Sequence, residues 1–162
     1  MSVRPASVQD AKAIAEITNK VIRDTLITFT TDERTPDSIA ADIESRGERF
    51  LVAELGREVV GFATYGEFRR GPGYAYCREH SIQLSPSARG HGLGRNLMER
   101  LEKIAVADGV HVLVAGISSE NPGAIAFHAS LGFSQIGRMP EVAKKWDRWL
   151  DLVLMQKILA YE

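Results

Sequence analysis

The sequence predicts a mixed α/β fold in which one sheet is flanked by helices. Apolar residues recur at helical spacing in three separate stretches, and runs typical of strands lie between and after them. A continuous apolar run at 110–117 is typical of a central strand that is buried on both faces. We therefore expect the order β-α-α-β-β-β-α-β-α-β, within a single domain spanning residues 1–162.

The first elements are a short edge strand at 2–5 and a helix that Ser7 begins. Asp10 follows Ser7 by three residues, which is the spacing of a capping box. The apolar residues after it return at intervals of three and four, as one buried helix face requires. They are Ala11, Ile14, Ala15, Ile17, Val21 and Ile22.

The second predicted helix follows a threonine-rich segment at 26–35. Pro36 lies in its first turn, directly after Thr35, where the missing N–H of proline costs nothing. Ile39 and Ile43 give this helix its buried stripe.

The remaining elements are read from apolar runs and the turn residues between them. They are a hairpin with strands at 50–54 and 59–65, a strand over 79–84, a helix over 92–107, the apolar strand at 110–117, a short helix between Asn121 and Gly132, and a last strand over 149–158.

A glycine-rich segment at 86–95 joins a predicted strand to a predicted helix. Glycines lack the Cβ atoms that would keep a ligand away from the main chain, so several N–H groups can converge on a phosphate at the helix N-terminus. Arg89 and Arg95 flank the segment and add charged donors. Neither the dinucleotide spacing nor the Walker lysine is present. We expect a pyrophosphate-bearing cofactor, with a simple tight turn as the alternative; the glycines are Gly90, Gly92 and Gly94.

Composition excludes several classes of function. Apolar and charged fractions of 44% and 25% are ordinary for a globular protein, and the net charge of −1 gives no electrostatic case for nucleic acid or anionic membranes. A lone cysteine, Cys77, fits a reducing compartment, and no secretory signal or membrane span is predicted. We expect a cytoplasmic protein. The four histidines lack metal-ligand spacing, so we expect no metal.

Two motifs then match a known family. Arg89-Gly-His-Gly-Leu-Gly94 is similar to the pyrophosphate loop of the GNAT acetyltransferases. Asn121, Ala124, His128 and Gly132-Phe133 are similar to that family's second segment, in which tyrosine is commoner than histidine. The resemblance spans nearly the whole chain, and it implies a mostly antiparallel sheet and acetyl-CoA as co-substrate.

A narrower resemblance is to the phosphinothricin and methionine-sulfoximine N-acetyltransferases of that family. It rests on Phe29-Thr30, Tyr65-Gly66-Glu-Phe-Arg69, Tyr74, Glu79-His-Ser81, His128 and Trp149-Leu-Asp151. Gln83, often tyrosine there, and residues 75–77 depart from the pattern beside the expected acceptor pocket. The resemblance implies acetyl transfer to the amine of a small, amino-acid-like acceptor.

The resemblance also implies a cofactor site. The main chain near 82–84 would stabilise the oxyanion, the glycine-rich segment would hold the pyrophosphate, and a contact with the cofactor would add to the helix-capping role of Asn121. The cofactor-binding residues would be Ile82, Gln83, Leu84, Arg89, Gly90, His91, Gly92, Leu93, Gly94, Arg95 and Asn121.

Acetyl-CoA is already an activated thioester, so its transfer needs no enzyme nucleophile. It needs a base for the amine, donors for the oxyanion and a proton for the departing thiolate. Glu79 is the candidate base, with a solvated strand carboxylate as the alternative. His128 is the candidate proton donor, with a merely hydrogen-bonded helix histidine as the alternative.

The acceptor would be bound by residues from three segments. Arg69 is the candidate partner for a carboxylate, because its planar fork suits bidentate pairing. Because strand neighbours point to opposite sides, only one of Glu79 and His80 can enter the same pocket of a regular strand. Phe29 and Tyr74 are candidate walls, like Trp149, although aromatic residues are more often plain packing residues. The acceptor-binding residues are thus Phe29, Arg69, Tyr74, Glu79 and His80.

The partners that we expect are a small-molecule amine and a second copy of the chain. The segment 144–148 is basic and aromatic, and the resemblance places it near the neighbouring subunit's site, which implies a homodimer; a solvated loop is the alternative. Two other functions stay open: acetylation of a protein N-terminus or lysine, and acyl-CoA sensing without catalysis.

Overall fold

A seven-stranded sheet, in the order β1-β2-β3-β4-β5-β7-β6, runs through the computed structural model, which describes residues 1–159. Neighbouring strands are antiparallel except for the parallel pair β4 and β5. The elements are β1 (Ser2–Pro5), α1 (Ala11–Asp24), α2 (Pro36–Arg46), β2 (Phe50–Leu55), β3 (Glu58–Glu67), β4 (Cys77–Leu84), α3 (Leu93–Ala107), β5 (Val112–Ser118), α4 (Pro122–Ser130), β6 (Ser134–Lys145) and β7 (Arg148–Ile158).

The predicted fold class, a mixed and mostly antiparallel sheet flanked by helices, is confirmed. The structure adds one strand, β6, to the predicted order. This strand lies at the edge of the sheet and most of its residues are exposed. Its register with β7 shifts twice, near 135–137 and 139–143, so it lacks the regular apolar alternation that identifies a strand in a sequence.

The predicted helix starts are found in the structure. Ser7 and Asp10 form the capping box, although a short 3₁₀ turn at Val8–Asp10 precedes α1. Thr35 caps α2 by accepting a hydrogen bond from the main-chain N–H of Ser38 at 3.1 Å. Asn121 caps α4 in the same way, from Ala124 at 3.2 Å. Each cap satisfies an N–H group that the helix itself leaves without a partner.

Helices cover both faces of the sheet. The first face, here called the α3 face, packs α3 against residues such as Leu51, Tyr65 and Leu113. The opposite face, here called the α1–α2 face, packs Ile14 and Ile39 against Phe50, Val52 and Phe62. Because successive residues of a strand point to opposite faces, β4 contributes alternate side chains to each of them.

The parallel pairing of β4 and β5 is short. It joins Cys77 to Val112, Arg78 to Leu113 and Glu79 to Val114, and it ends there. Beyond this point β4 stays paired with β3 as far as Leu84, and β5 stays paired with β7 as far as Ser118. The two strands therefore separate in the middle of the sheet and leave a gap between their carboxyl-terminal halves.

Within residues 1–159, no helix has both the length and the apolar character needed to cross a lipid bilayer.

Candidate active site

The main chain of β4 presents N–H and C=O groups to the gap beyond its last pairing with β5. Ser85 donates its N–H to Val60 O at 2.7 Å, as part of the ladder with β3. In an antiparallel ladder alternate residues face the partner strand, so Ile82 and Leu84 turn their N–H and C=O groups toward the gap. These N–H groups have the geometry of donors for a carbonyl oxygen that lies between β4 and β5. Gln83, between them, directs its main-chain groups to β3.

The glycine-rich segment follows the carboxyl end of β4 and leads to the N-terminus of α3, which therefore lies near the open end of the gap. Gly90 and Gly92 have φ values of 81° and 70°, which L-residues with side chains rarely adopt. Gly92 is the N-cap residue, and the first helical bond runs from Asn96 N to Gly92 O at 3.1 Å. The N–H groups of the first turn are left free by the helix and can meet a phosphate.

Leu93 and Gly94 have a packing role as well. Leu93 is 1% exposed, so only its main chain is available to a ligand. A Cβ on Gly94 would lie 3.0 Å from Leu84 Cδ1 and 3.3 Å from Phe127 Cζ. The absence of a side chain at Gly94 therefore lets α3 approach β4 and α4. This reason differs from the one predicted from the sequence, which was access for a ligand.

The charged residues of this segment lie on the surface. Arg89, His91 and Arg95 are exposed, as a loop that meets a soluble anion requires. Arg95 forms a long ion pair with Glu99 at 3.8 Å, between two exposed side chains. An ion pair between exposed side chains contributes little free energy, so it holds the Arg95 guanidinium only weakly.

Glu79 lies on the α1–α2 face, where the gap begins. Its Oε2 atom is 3.0 Å from the position that a Cβ on Gly116 would occupy, so the carboxylate lies across β5. The surrounding protein disfavours the charged form and raises the pKa of Glu79 above its ordinary value. Within residues 1–159, the carboxylate has no ion-pair partner that would offset this effect.

His80 lies on the opposite face from Glu79, because the strand alternates. It is 5% exposed, and its Nε2 is 2.9 Å from His128 Nε2. The sequence groups His80 with the acceptor-binding residues, but the structure brings it to His128 and Phe133 on the α3 face instead. Of the two neighbours, only Glu79 faces α1 and α2.

The hydrogen bonds of the histidine pair fix its tautomers. His128 Nδ1 lies 2.8 Å from Ala124 O, so that nitrogen carries a proton and donates it. In the neutral ring, Nε2 is then an acceptor, and it receives the Nε2–H of His80. His80 Nδ1 is left as a buried acceptor without a partner in the protein. Burial lowers the pKa of both rings, to about 3 for His80, and keeps them neutral.

The other expected acceptor-binding residues lie in two connections. Arg69 and Tyr74 belong to the β3–β4 connection, where the Arg69 guanidinium stacks on the Tyr74 ring at 5.6 Å. Both are exposed. Phe29 is half-buried in the α1–α2 connection, whose Leu26 O accepts a hydrogen bond from Ser118 Oγ at 2.8 Å.

A small cavity of about 160 Å³ lies between α1, α2 and the sheet. Its lining includes Arg46, which the sequence analysis missed. Arg46, in the last turn of α2, donates to Thr64 Oγ1 at 3.1 Å and faces the cavity. Ser81 and Gln83, on the same face of β4 as Glu79, line it as well. The cavity is large enough for a group about the size of benzene.

Two glycines within strands, Gly66 and Gly116, lie beside charged groups on this face. Such glycines are visible in the sequence and could have indicated the site. A Cβ on Gly66 would lie 3.0 Å from Arg46 Nη2, just as one on Gly116 would meet Glu79. Gly66 is the direct partner of Glu79 across β3 and β4. An isolated glycine within a strand often indicates close approach of another group, and here both groups are charged.

Among residues 1–159 there is no cluster of three or more histidine, cysteine, aspartate or glutamate side chains arranged to hold a metal ion.

The model of the Acetyltransferase (GNAT) family matches residues 16–133 of the chain. This chain belongs to the GNAT family. It is an acyltransferase by that membership, and the predicted family is confirmed. A similar relative is the L-methionine sulfoximine/L-methionine sulfone acetyltransferase of Salmonella typhimurium, which is 40% identical over 96% of this chain and 93% of the relative.

Two solved structures extend the comparison of this GNAT chain. A phosphinothricin acetyltransferase from Sinorhizobium meliloti, solved in complex with acetyl-CoA, has a TM-score of 0.91 and 31% identity, covering 98% of this chain and 88% of the other. A ribosomal-protein-alanine N-acetyltransferase from Brucella melitensis has a TM-score of 0.92 and 38% identity, covering 98% and 100%. The expected co-substrate, acetyl-CoA, is thus the one bound in a structural neighbour.

Gly116→Ala tests whether the position of the Glu79 carboxylate matters. The new Cβ would displace Oε2 from its place over β5, so we expect kcat to fall about tenfold, which corresponds to about 1.4 kcal/mol of barrier. Acetyl-CoA affinity, measured by calorimetry, should stay unchanged. The control is Gly137→Ala on β6, where a Cβ meets nothing within 4 Å. Equal activity in the two variants would show that the position of the Glu79 carboxylate does not affect the reaction.

Proposed function

We propose that the protein transfers the acetyl group of acetyl-CoA to the α-amine of a small amino acid. The acceptors that we favour are of the methionine sulfoximine, methionine sulfone or phosphinothricin type. The observation that carries the proposal is the gap between β4 and β5, with main-chain donors along it and a carboxylate beside it on the α1–α2 face. The names of two relatives, which act on such acceptors, support the substrate class.

In this proposal acetyl-CoA lies along the gap. The N-terminal turn of α3 and the exposed Arg89 hold its pyrophosphate, and Asn121 adds a contact from the start of α4. The thioester carbonyl accepts hydrogen bonds from main-chain N–H groups of Ile82 and Leu84, which stabilise the oxyanion as it forms. A thioester in the gap is thereby accessible from both faces of the sheet.

Glu79 is the proposed base. An acceptor amine on the α1–α2 face loses a proton to the carboxylate, directly or through a water, and then attacks the thioester carbon. The raised pKa of Glu79 makes it a better proton acceptor than an ordinary carboxylate.

For the thiolate we propose the histidine pair as the proton donor, rather than His128 acting alone. Both nitrogens of His128 are already bonded, one to Ala124 O and one to His80. Of the four ring nitrogens, His80 Nδ1 is the one left for exchange with a ligand. Attack on the carbonyl carbon leaves the acceptor nitrogen cationic, and the proton that it loses passes to His80 Nδ1. As the C–S bond breaks and the sulfur takes the electron pair, that proton passes on to the sulfur, and the histidine pair returns to its neutral form.

The second candidate function is acetylation of a protein N-terminus, and the name of the Brucella neighbour favours it. Such a substrate needs an open groove. The cavity of about 160 Å³ on the α1–α2 face supports a side chain of amino-acid size instead.

A panel of amines tests the reaction and its acceptor class. We expect CoA release with methionine sulfone and phosphinothricin, little with an alanine-initiated peptide, and little with the decarboxylated analogue of methionine sulfone. Because Arg69 is proposed to pair with the acceptor carboxylate, Arg69→Ala should raise the acceptor KM about tenfold and abolish the preference for a carboxylate. Arg70→Ala, its exposed neighbour, is the control. Preference for the peptide would support the second candidate instead.

Glu79→Gln and the pH profile test the base. The folded carboxylate has a raised pKa, so activity should fall as the pH drops through a value above the ordinary carboxylate range. Glu79→Gln should lower kcat by about 100-fold or more and remove this acid limb, with acetyl-CoA affinity retained. The profile is measured with two acceptors of different amine pKa. A limb that moves with the acceptor belongs to the amine and would contradict the role of Glu79.

We also propose a homodimer formed through the β6–β7 hairpin. Ile136, Met139, Val142 and Trp149 are exposed there, which is unusual for such large apolar side chains. Sedimentation equilibrium should give twice the mass of the chain, and Met139→Glu should shift the equilibrium toward the monomer. A monomer at every concentration tested would reject the dimer.

A further inference from the structure

The basic segment 144–148 has no part in the proposed reaction. It contains the turn between β6 and β7. The two central residues of this turn, Trp146 and Asp147, have φ values of 51° and 60°. A two-residue hairpin turn with both φ values positive normally contains asparagine or glycine, because bulky residues are strained in this region. Strain of this kind persists where the surrounding structure requires a particular geometry.

Lys145, which precedes this turn, is buried inside the protein. Its side chain is 2% exposed, although the sequence places it in a charged run. A lysine ammonium has three hydrogens to donate and is costly to bury without acceptors. Here it meets main-chain oxygens at 2.7 to 3.0 Å and a hydroxyl at 3.3 Å: Thr25 O, Ile22 O, Thr28 O and Thr28 Oγ1.

The three carbonyl groups all belong to one stretch of chain. Ile22 lies in the last turn of α1, Thr25 caps its end, and Thr28 is in the α1–α2 connection. A cation at this place also complements the negative end of the helix dipole. Lys145 therefore joins the tip of the β6–β7 hairpin to the start of the connection that carries Phe29.

A second anchor holds the same stretch against β5. Ser118 Oγ donates to Leu26 O at 2.8 Å. Ser118 follows Gly116 by two residues on the same face of β5, which is about 7 Å along a strand. The Glu79 carboxylate lies over Gly116, so these anchors fix the connection close to the proposed base.

We propose that Lys145 is a positioning residue for the acceptor subsite: by binding the carbonyls of 22–28 it holds Phe29 as a wall beside Glu79. This inference rests on the proposed function for its substrate. Lys145 touches no reacting atom, and it acts through the connection. A lysine that only capped α1 would affect stability and all kinetic constants alike, whereas a positioning role affects the acceptor first.

The test compares Lys145→Met with Lys12→Met, which removes an exposed lysine from α1, the helix to which Lys145 binds. We expect Lys145→Met to raise the acceptor KM about tenfold, with acetyl-CoA affinity by calorimetry unchanged. Hydrogen exchange of the amides at 25–30 should become faster. Lys12→Met should match the wild type in all three measurements. Unchanged acceptor KM, or an equal loss of acetyl-CoA affinity, would overturn the proposal.

Ser118→Ala gives an independent test if Lys145→Met folds poorly. It removes the second anchor with the loss of one hydroxyl, and we expect the same selective rise in acceptor KM, about threefold. Normal acceptor KM in this variant would reject the positioning role. A wild-type protein that releases no CoA with any amine would reject the proposed function, and hydrogen exchange at 25–30 in the variants would still test whether the anchors hold this stretch.

Discussion

The rest of the structure depends on the early end of pairing between β4 and β5. Past Glu79 and Val114, the two strands leave main-chain groups without partners inside a sheet. An unsatisfied buried polar group costs about 1–3 kcal/mol, so a gap of this kind is stable where a ligand or solvent can satisfy it. The gap also begins beside the Glu79 carboxylate and opens toward the N-terminal turn of α3. One break in one ladder thus places donors, base and anion site together.

The gap divides the proposed chemistry between the two faces of the sheet. Glu79 lies on the α1–α2 face, and the His80–His128 pair lies on the α3 face. Loss of contact with water disfavours charge in both places. It raises the pKa of the Glu79 carboxyl group, although residue 79 is exposed overall, and it lowers the pKa of the two buried imidazoles. The raised pKa makes the carboxylate a stronger base, and the lowered pKa makes a protonated imidazole a stronger acid, than the same groups in water.

Local patterns in the sequence predicted most of the elements, because caps, periodicity and turn glycines act over a few residues. The separation of Glu79 from His80 also followed from strand alternation alone. The contact between His80 and His128 joins residues 48 apart, and no local signal contains it. Strand β6 was missed because exposure and register shifts remove its alternation. The burial of Lys145 was missed because a charged run normally indicates a solvated surface, and its acceptors lie more than a hundred residues away.

The glycines show why the sequence indicated the cofactor more clearly than the acceptor. Gly90 and Gly92 adopt left-handed φ values in one short loop, so the loop is recognisable from a few consecutive residues. Gly66 and Gly116 have ordinary backbone angles and lie on different strands, where they make room for the Arg46 guanidinium and the Glu79 carboxylate. Their role exists only after β3, β4 and β5 have paired in register. The acceptor face is therefore a property of the assembled sheet, and residues that shape it are dispersed along the chain.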